Sequence, residues 1–241
     1  MQIITLDSTE STNRYCELLD LAEVEEFSCY TALEQTAGIG QRGNTWFSGA
    51  KGDNLTFSII LKPTFLPATQ QFRLTQAFSL ALTDFLSPFT PHLSPLIKWP
   101  NDIYVGGSKI CGTLISCRHS GTAIATAICG IGLNINQTEF PDWVPHPTSL
   151  SLLTGLRHST SDLLPRLLDA CQRRYEQLRL GQDPTAEYLS RLMNLGHPCR
   201  YLYGGQEITA TITGIDNYGR LLLDHCGNTL CCGMKEISLL Q

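Results

Sequence analysis

Apolar and polar positions divide the chain into a long part of mixed periods and a short end that alternates throughout. Residues 3–6 read as a short strand, and Tyr15, Leu18, Leu19 and Ala22 then fall at the spacing of one helix face. Residues 28–35 read as a second strand. Residues 54–61 alternate, with Leu55, Phe57, Ile59 and Leu61 on one face, which predicts a half-buried strand. Leu74, Ala77, Phe78, Ala81 and Phe85 make a helical stripe that a plain core face explains. A loop marked by Pro88, Pro91 and Pro95 leads into Lys98-Trp99-Pro100-Asn101-Asp102. A hairpin over 103–117 follows, because Gly106-Gly107 between two apolar runs can take positive φ at both turn positions.

Residues 122–128 alternate again and run into Gly130-Ile131-Gly132-Leu133-Asn134-Ile135-Asn136. Leu164, Leu167, Leu168, Cys171, Tyr175 and Leu178 predict a helix with one buried side, capped by Ser161, with Pro165 in its first turn. Asp183-Pro184 predicts the cap and first residue of a short helix that Gly196 stops. From His197 the period is two. Short strands at 200–203, 207–212, 221–223, 229–232 and near Ile237 are separated by turns at 204–205, 217–219 and 226–228. So few residues of strand are marginal alone, and the expectation is a small barrel docked on the rest.

Composition narrows the class. The chain has 241 residues, 42% of them hydrophobic, with 17 Lys+Arg against 22 Asp+Glu and a net charge of −5. That length fits one large domain with a small appendage. A mild acidic balance speaks against a general grip on nucleic acid. No apolar run approaches the roughly 20 residues that span a bilayer, and no signal-peptide pattern opens the chain, so a cytoplasmic protein without membrane contact is expected. The ten cysteines include no C-x-x-C pair and the six histidines no H-x-x-x-H pair. They read as reduced thiols and not as a zinc site.

Four stretches carry candidate chemistry. Ser11, Thr12 and Asn13 sit at a predicted helix start, where one residue suffices for capping and three suggest a polar ligand. The run 35–46 places Gly38, Gly40 and Gly43 in a loop that could admit an anion to the backbone, though it matches neither the phosphate-loop nor the dinucleotide spacing. The hairpin could hold the Asp102 carboxylate and the Lys109 ammonium near one pocket. Gly130 and Gly132 inside a strand pattern mark a bulge or a ligand against the backbone, and Asn134 and Asn136 need partners if buried.

Taken in order, Ser11-Thr12-Asn13, the loop 35–46, Lys98-Trp99-Pro100-Asn101-Asp102 with Lys109, and Gly130-Ile131-Gly132-Leu133-Asn134 resemble the biotin–protein ligases. The resemblance covers nearly the whole chain. It implies an α+β fold: a mixed β-sheet with packed helices over 1–195, of the biotin/lipoate ligase type and like class II aminoacyl-tRNA synthetases, then an SH3-like β-barrel over 196–241. It implies an enzyme that couples biotin to ATP as biotinyl-5′-AMP and passes the biotinyl group to a lysine of a carboxylase's biotin-carrier domain. Ser11, Thr12, Asn13, Gln35, Gly38, Ile39, Gly40, Gln41, Lys109 and Gly112 would then hold biotin. Gly40, Gln41, Arg42, Gly43, Asn44, Trp46, Lys109 and Asn134 would hold ATP and the adenylate. Lys109, Asp102 and Arg42 would carry catalysis, and Asp102 and Asn134 would serve magnesium.

The residue types suit that chemistry. Attack on an α-phosphate builds negative charge that a lysine and a magnesium ion can stabilise. A closing loop would keep water from the mixed anhydride. The loop departs from the family's usual Gly-Arg-Gly-Arg, reading Gly38-Ile39-Gly40-Gln41 with Arg42 next, so Arg42 is expected to supply the charge. With no domain before Ile3 in the sequence, no operator binding is expected, and a homodimer is one expected assembly. The rival readings are a lipoate or octanoate ligase and a non-catalytic biotin-binding module.

Overall fold

The computed structural model describes residues 2–240, with the side chain of Arg42 outside the described set. Seven strands build the main sheet: β1 (Ile3–Leu6), β2 (Cys29–Ala32), β3 (Leu55–Leu61), β4 (Leu96–Lys98), β5 (Asp102–Val105), β6 (Ser108–Ser120) and β7 (Ala123–Leu133). Their order is β1-β2-β3-β7-β6-β5-β4. Only β1 and β2 run parallel, so the sheet is mixed. The helices are α1 (Thr12–Glu17), α2 (Phe72–Leu86), α3 (Leu150–Thr154), α4 (Thr160–Arg179) and α5 (Thr185–Ser190).

The C-terminal part is a five-stranded antiparallel sheet of β8 (Pro198–Tyr203), β9 (Gln206–Ile215), β10 (Leu221–His225), β11 (Asn228–Cys232) and β12 (Ile237–Leu239), in the order β11-β10-β9-β8-β12. It docks as expected. Tyr201, Ile212, Leu221 and Leu223 belong to the same buried cluster as the main core. The Trp99 indole N–H donates to the Gly219 carbonyl at 2.9 Å. A Cβ on Gly219 would lie 2.1 Å from the Phe72 ring, so only glycine fits that turn.

Helices α2 and α4 cover one face of the sheet. Leu74, Phe78 and Leu82 meet Leu167, Leu168 and Tyr175 over Phe57, Ile59, Ile131 and Leu133. The other face carries α1, with Cys16, Leu21, Tyr30, Ile60 and Ile128 as a smaller cluster. For this reason β3 is not half-buried: all seven of its residues are buried, because Thr56, Ser58 and Ile60 lie under the α1 side. All ten cysteines carry free thiols. Among the described residues no helix is long and apolar enough to cross a membrane.

Three helix expectations need correction. α1 stops at Glu17 and Leu18 is 87% exposed, because the Asp20 carboxylate takes the Ala22 N–H at 3.1 Å and turns the chain away. The cap of α4 is Ser159, not Ser161; its hydroxyl accepts from the Asp162 N–H. Pro165 therefore sits in the second turn, where its missing N–H leaves one helical acceptor free. The cap of α5 is Pro184, not Asp183, and the helix starts at Thr185, whose N–H the Asp183 carboxylate accepts at 2.9 Å; it ends at Ser190, before Gly196.

Candidate active site

The hairpin β5–β6 forms as the sequence indicates, with φ of 59° at Gly106 and 82° at Gly107. Its register holds a feature the sequence hides. Asp102 pairs with Gly112 and Ile103 with Cys111, but Tyr104 pairs with Lys109, so Ile110 is an extra residue. Side chains alternate along a strand, and one inserted residue turns those beyond it to the other face. The bulge thus puts Lys109 on the face of Asp102 and Gly112. The Lys109 ammonium and the Asp102 carboxylate meet at 2.7 Å. A Cβ on Gly112 would lie 3.0 Å from Asp102 Oδ1, so the missing side chain makes room for that pair.

β4 brings Lys98 directly across from Asp102. Its ammonium lies 3.4 Å from the Tyr104 hydroxyl. Burial pulls Lys98 below the usual lysine range; Asp102 opposes this and Lys109 adds to it. Burial, and then the Asp102 charge, push the Tyr104 phenol up to about 12. The turn between β4 and β5 is held from three sides. Tyr188 Oη, fully buried on α5, donates to the Pro100 carbonyl at 2.8 Å. Asn101 Nδ2 donates to the Thr113 carbonyl, and Trp99 reaches the small sheet.

At the far end of the same face, Ser11, Thr12 and Asn13 are all buried, and Ser11 makes no side-chain capping bond. Gln35 does the capping instead: its Oε1 accepts from the Thr12 N–H at 2.8 Å and from the Thr12 hydroxyl at 3.2 Å. The Ser58 hydroxyl on β3 donates to Asn13 Oδ1 at 2.6 Å and lies 2.8 Å from the Thr12 hydroxyl oxygen. These hydroxyls and amides form one interlocked polar wall.

The glycine-rich segment is a tight turn. Gly40 N–H bonds to the Asn44 carbonyl and Trp46 N–H to that of Gly38, around a 3₁₀ turn over Gln41–Gly43. Gly38 is needed because a Cβ there would lie 2.4 Å from the Trp46 carbonyl. The glycines serve the close approach of the two arms, and these two amides are consumed within the loop. Gly130 and Gly132 likewise sit in a regular ladder without a bulge. A Cβ on Gly130 would strike Asn13 at 2.2 Å, and one on Gly132 the Trp46 ring at 2.3 Å, and both glycines border the polar cleft described next.

Two connected spaces result. A polar cleft of about 180 Å³ is bordered by nine of the ten residues expected for biotin, all but Gly38, which lies buried beneath Trp46. Beside it lies a cavity of about 590 Å³, with Asp102, Lys109 and Asn134 at one part of its wall and Phe47, Phe140 and Trp143 at another. Asp102, Lys109, Asn44 and Trp46 border both. Of the residues expected for ATP, Gly43, Asn44, Trp46, Lys109 and Asn134 border the second space, and Gly40 and Gln41 the first. The Arg42 side chain lies outside the described residues. Asn134 Nδ2 donates to the Thr148 carbonyl, while its buried Oδ1 has no partner among the described residues; Asn136 is spent on both sides of His158. Trp143 and Phe47, edge to face at 6.2 Å, carried no sequence signal, since single aromatics in loops have no period.

The cleft joins a polar wall to a lysine–carboxylate pair and opens on an aromatic cavity, and comparison with known proteins gives the class, a ligase. The solved structure of the biotin protein ligase from Aquifex aeolicus, in complex with biotin and ATP, superposes with a TM-score of 0.82 at 25% identity, covering 100% of this chain and 99% of that one. The biotin–[acetyl-CoA-carboxylase] ligase of Paracoccus denitrificans is 33% identical over 90% of this chain and 92% of its own length. That of Mycobacterium tuberculosis is 31% identical over 86% and 76%. The family model for the biotin/lipoate A/B protein ligase family matches residues 5–134, and the biotin protein ligase C-terminal domain model matches 195–227. The chain belongs to the biotin/lipoate A/B protein ligase family and, within it, is a biotin protein ligase.

Proposed function

We propose that the chain joins biotin to ATP as biotinyl-5′-AMP, releasing diphosphate, and then transfers the biotinyl group to a lysine of the biotin-carrier domain of acetyl-CoA carboxylase. The observation that carries this reading is the Lys109–Asp102 pair at 2.7 Å, set where the polar cleft and the aromatic cavity meet. The cleft takes biotin, with Ser11, Thr12, Asn13 and Gln35 toward its polar head and Ile39, Gly40, Gln41 and Gly112 around it. The cavity takes the nucleotide, with its base toward Phe47 and Trp143 and its α-phosphate toward Lys109. The Lys109 ammonium neutralises charge that grows on that phosphate. In the transfer step a neutral acceptor amine is needed, and Asp102 takes its proton. Residues 38–44 close over the adenylate and exclude water, with Arg42 supplying the cationic group that Ile39 and Gln41 lack.

The donor set fits magnesium. A hard cation of this kind takes one or two protein oxygens and completes its shell with water and phosphate. Asp102 offers a carboxylate and the unpartnered buried Asn134 Oδ1 an amide oxygen, and both border the nucleotide cavity. The ion would supply charge neutralisation of the phosphates. The division into 1–195 and 196–241 follows the change from mixed to all-strand structure. Ten free thiols suit a reducing compartment such as the cytoplasm. Incubation with biotin, ATP and magnesium, with diphosphate release measured, tests the reading. Lipoate in place of biotin should release little, and equal release with lipoate would overturn the biotin assignment.

A further inference from the structure

Two buried amides that border neither the cleft nor the larger cavity are joined to each other. Asn54, just before β3, and Gln137, shortly after β7, are 6% and 4% exposed. Asn54 Nδ2 donates to Gln137 Oε1 at 2.6 Å. Three further bonds run from this pair to the backbone. Asn54 Nδ2 also donates to the Ser48 carbonyl at 2.9 Å, Asn54 Oδ1 accepts from the Ile135 N–H at 2.8 Å, and Gln137 Nε2 donates to the Glu139 carbonyl at 2.8 Å. Each partner is next in sequence to a residue that walls the larger cavity: Ser48 to Phe47, Ile135 to Asn134 and Glu139 to Phe140. Trp143 in turn leans edge to face on Phe47. The turn after Ser48 packs directly on the pair: Gly49 has a φ of 67°, and a Cβ there would lie 2.6 Å from Gln137 Oε1. The far end of the second loop is fixed separately, because the Lys109 N–H donates to the His146 carbonyl and the Lys109 carbonyl accepts from the Thr148 N–H.

We propose that Asn54 and Gln137 are positioning residues for the nucleotide: the pair sets Phe47 and Phe140, which come from separate loops, at the spacing that admits the base. This rests on the assignment of the larger cavity to the nucleotide made above. A buried polar pair whose bonds are made fixes one arrangement, where apolar side chains would tolerate several. Freed of that tie, the stretch 138–145 has to be ordered each time nucleotide binds, and the apparent affinity falls with the fraction of time it spends in the competent arrangement. The biotin end is insulated from this. Its link to the same region is the Gln35 amide on the Ser48 hydroxyl at 3.3 Å, whereas the pair holds the Ser48 carbonyl, and holds it through Asn54 and not through Gln137. Loss of the Gln137 amide therefore loosens the aromatic wall and leaves the polar wall in place.

The test is calorimetric titration of the full chain, first with biotin and then, once biotin is saturating, with magnesium and α,β-methylene-ATP, whose α–β bridge cannot be cleaved. Wild type, Gln137→Met, Phe140→Ala and the double variant are compared. Methionine matches glutamine in length but makes neither side-chain bond. Gln137→Met should bind the ATP analogue about tenfold more weakly, the order that one or two net hydrogen bonds supply, with biotin binding unchanged. With Phe140→Ala already in place the same change should add little, because effects that act through one wall do not sum. Gly49→Ala presses a new Cβ on the same amide and should show the same selective loss, which keeps the test open if the methionine variant does not fold. Equal weakening of biotin and the analogue would overturn the proposal in favour of a general structural role. Unchanged analogue binding in Gln137→Met or Gly49→Ala would also overturn it, and so would a full further loss in the Phe140→Ala background. Failure of the wild-type chain to bind biotin or the analogue would fault the ligase reading itself and not the amide pair.

Discussion

Gly132→Ala, made with and without Trp46, tests how the cleft is built. Gly132 pairs with Thr56 on one side and Gly112 on the other, at a φ outside the left-handed region, so the alanine backbone costs nothing there. The obstacle is the Trp46 ring: the new Cβ would lie 2.3 Å from Cε2 and 2.6 Å from Cζ2. Carbon atoms come to rest at about 3.5 Å or more, so the ring must retreat by about 1 Å. Overpacking of this kind costs about 1–3 kcal/mol. For a chain of this size that lowers Tm by about 4–8 °C at the middle of the range. The same shift disturbs the contact of the ring with Lys109, whose ammonium lies 5.8 Å from its centre, and a 1 Å displacement at a reacting site can cost about 10²-fold in turnover. With Trp46→Ala already in place the ring is gone. Alanine for glycine should then be neutral or stabilising by about 0.5 kcal/mol, through the unfolded chain. The assay is a double-mutant cycle in thermal unfolding, with a coupling of about 2 kcal/mol expected. Equal loss of Tm in both backgrounds would refute the placement of Trp46 over Gly132.

Other outcomes follow from the same geometry. Ser58→Ala frees the side chains of Thr12 and Asn13 and should raise KM for biotin about tenfold, with little change in Tm, the worth of about one net hydrogen bond; an unchanged KM would separate the wall from the ligand. Tyr188→Phe leaves the Pro100 carbonyl without its donor, so unfolding experiments should show a loss of about 1–2 kcal/mol, and kcat should fall while KM for biotin holds. The Asp84 and Glu187 carboxylates lie below their ordinary values of 3.8 and 4.5; burial opposes this at Asp84, while bonds from Arg174 and Arg191 hold both groups ionised. A group whose pKa is lowered on folding stabilises above its unfolded value and loses that contribution as pH falls through the folded one. Arg174→Met should therefore cost about 2 kcal/mol in urea at pH 7 and progressively less below about pH 4. A cost independent of pH would contradict the ion network.

Much of this was legible in the chain. Gly-Gly turns, helical stripes and the period-two end are local signals, and β5–β6, α2, α4 and the C-terminal strands follow them. The cleft residues were legible by resemblance, and their types agree with the chemistry. What was hidden depends on partners distant in sequence. The extra residue Ile110 reveals itself only against Tyr104 and Ile103, so that Lys109 faces Asp102 could not be read from spacing. Gly38, Gly130 and Gly132 suggested room for an anion or ligand; Gly130 and Gly132 do border the cleft, but a sequence cannot say that Trp46 and Asn13 press against the same glycines. Ser58 looked like the polar side of a half-exposed strand, yet α1 turns it into the tie of the polar wall.

The most direct measurement is the intact mass of the carrier domain of acetyl-CoA carboxylase after incubation with the chain, biotin, magnesium and ATP. One added biotinyl group with the wild-type chain, absent with Lys109→Ala, is the expected result. No added mass together with no diphosphate released would contradict the assignment of Lys109 and Asp102 as the centre of a biotin ligase.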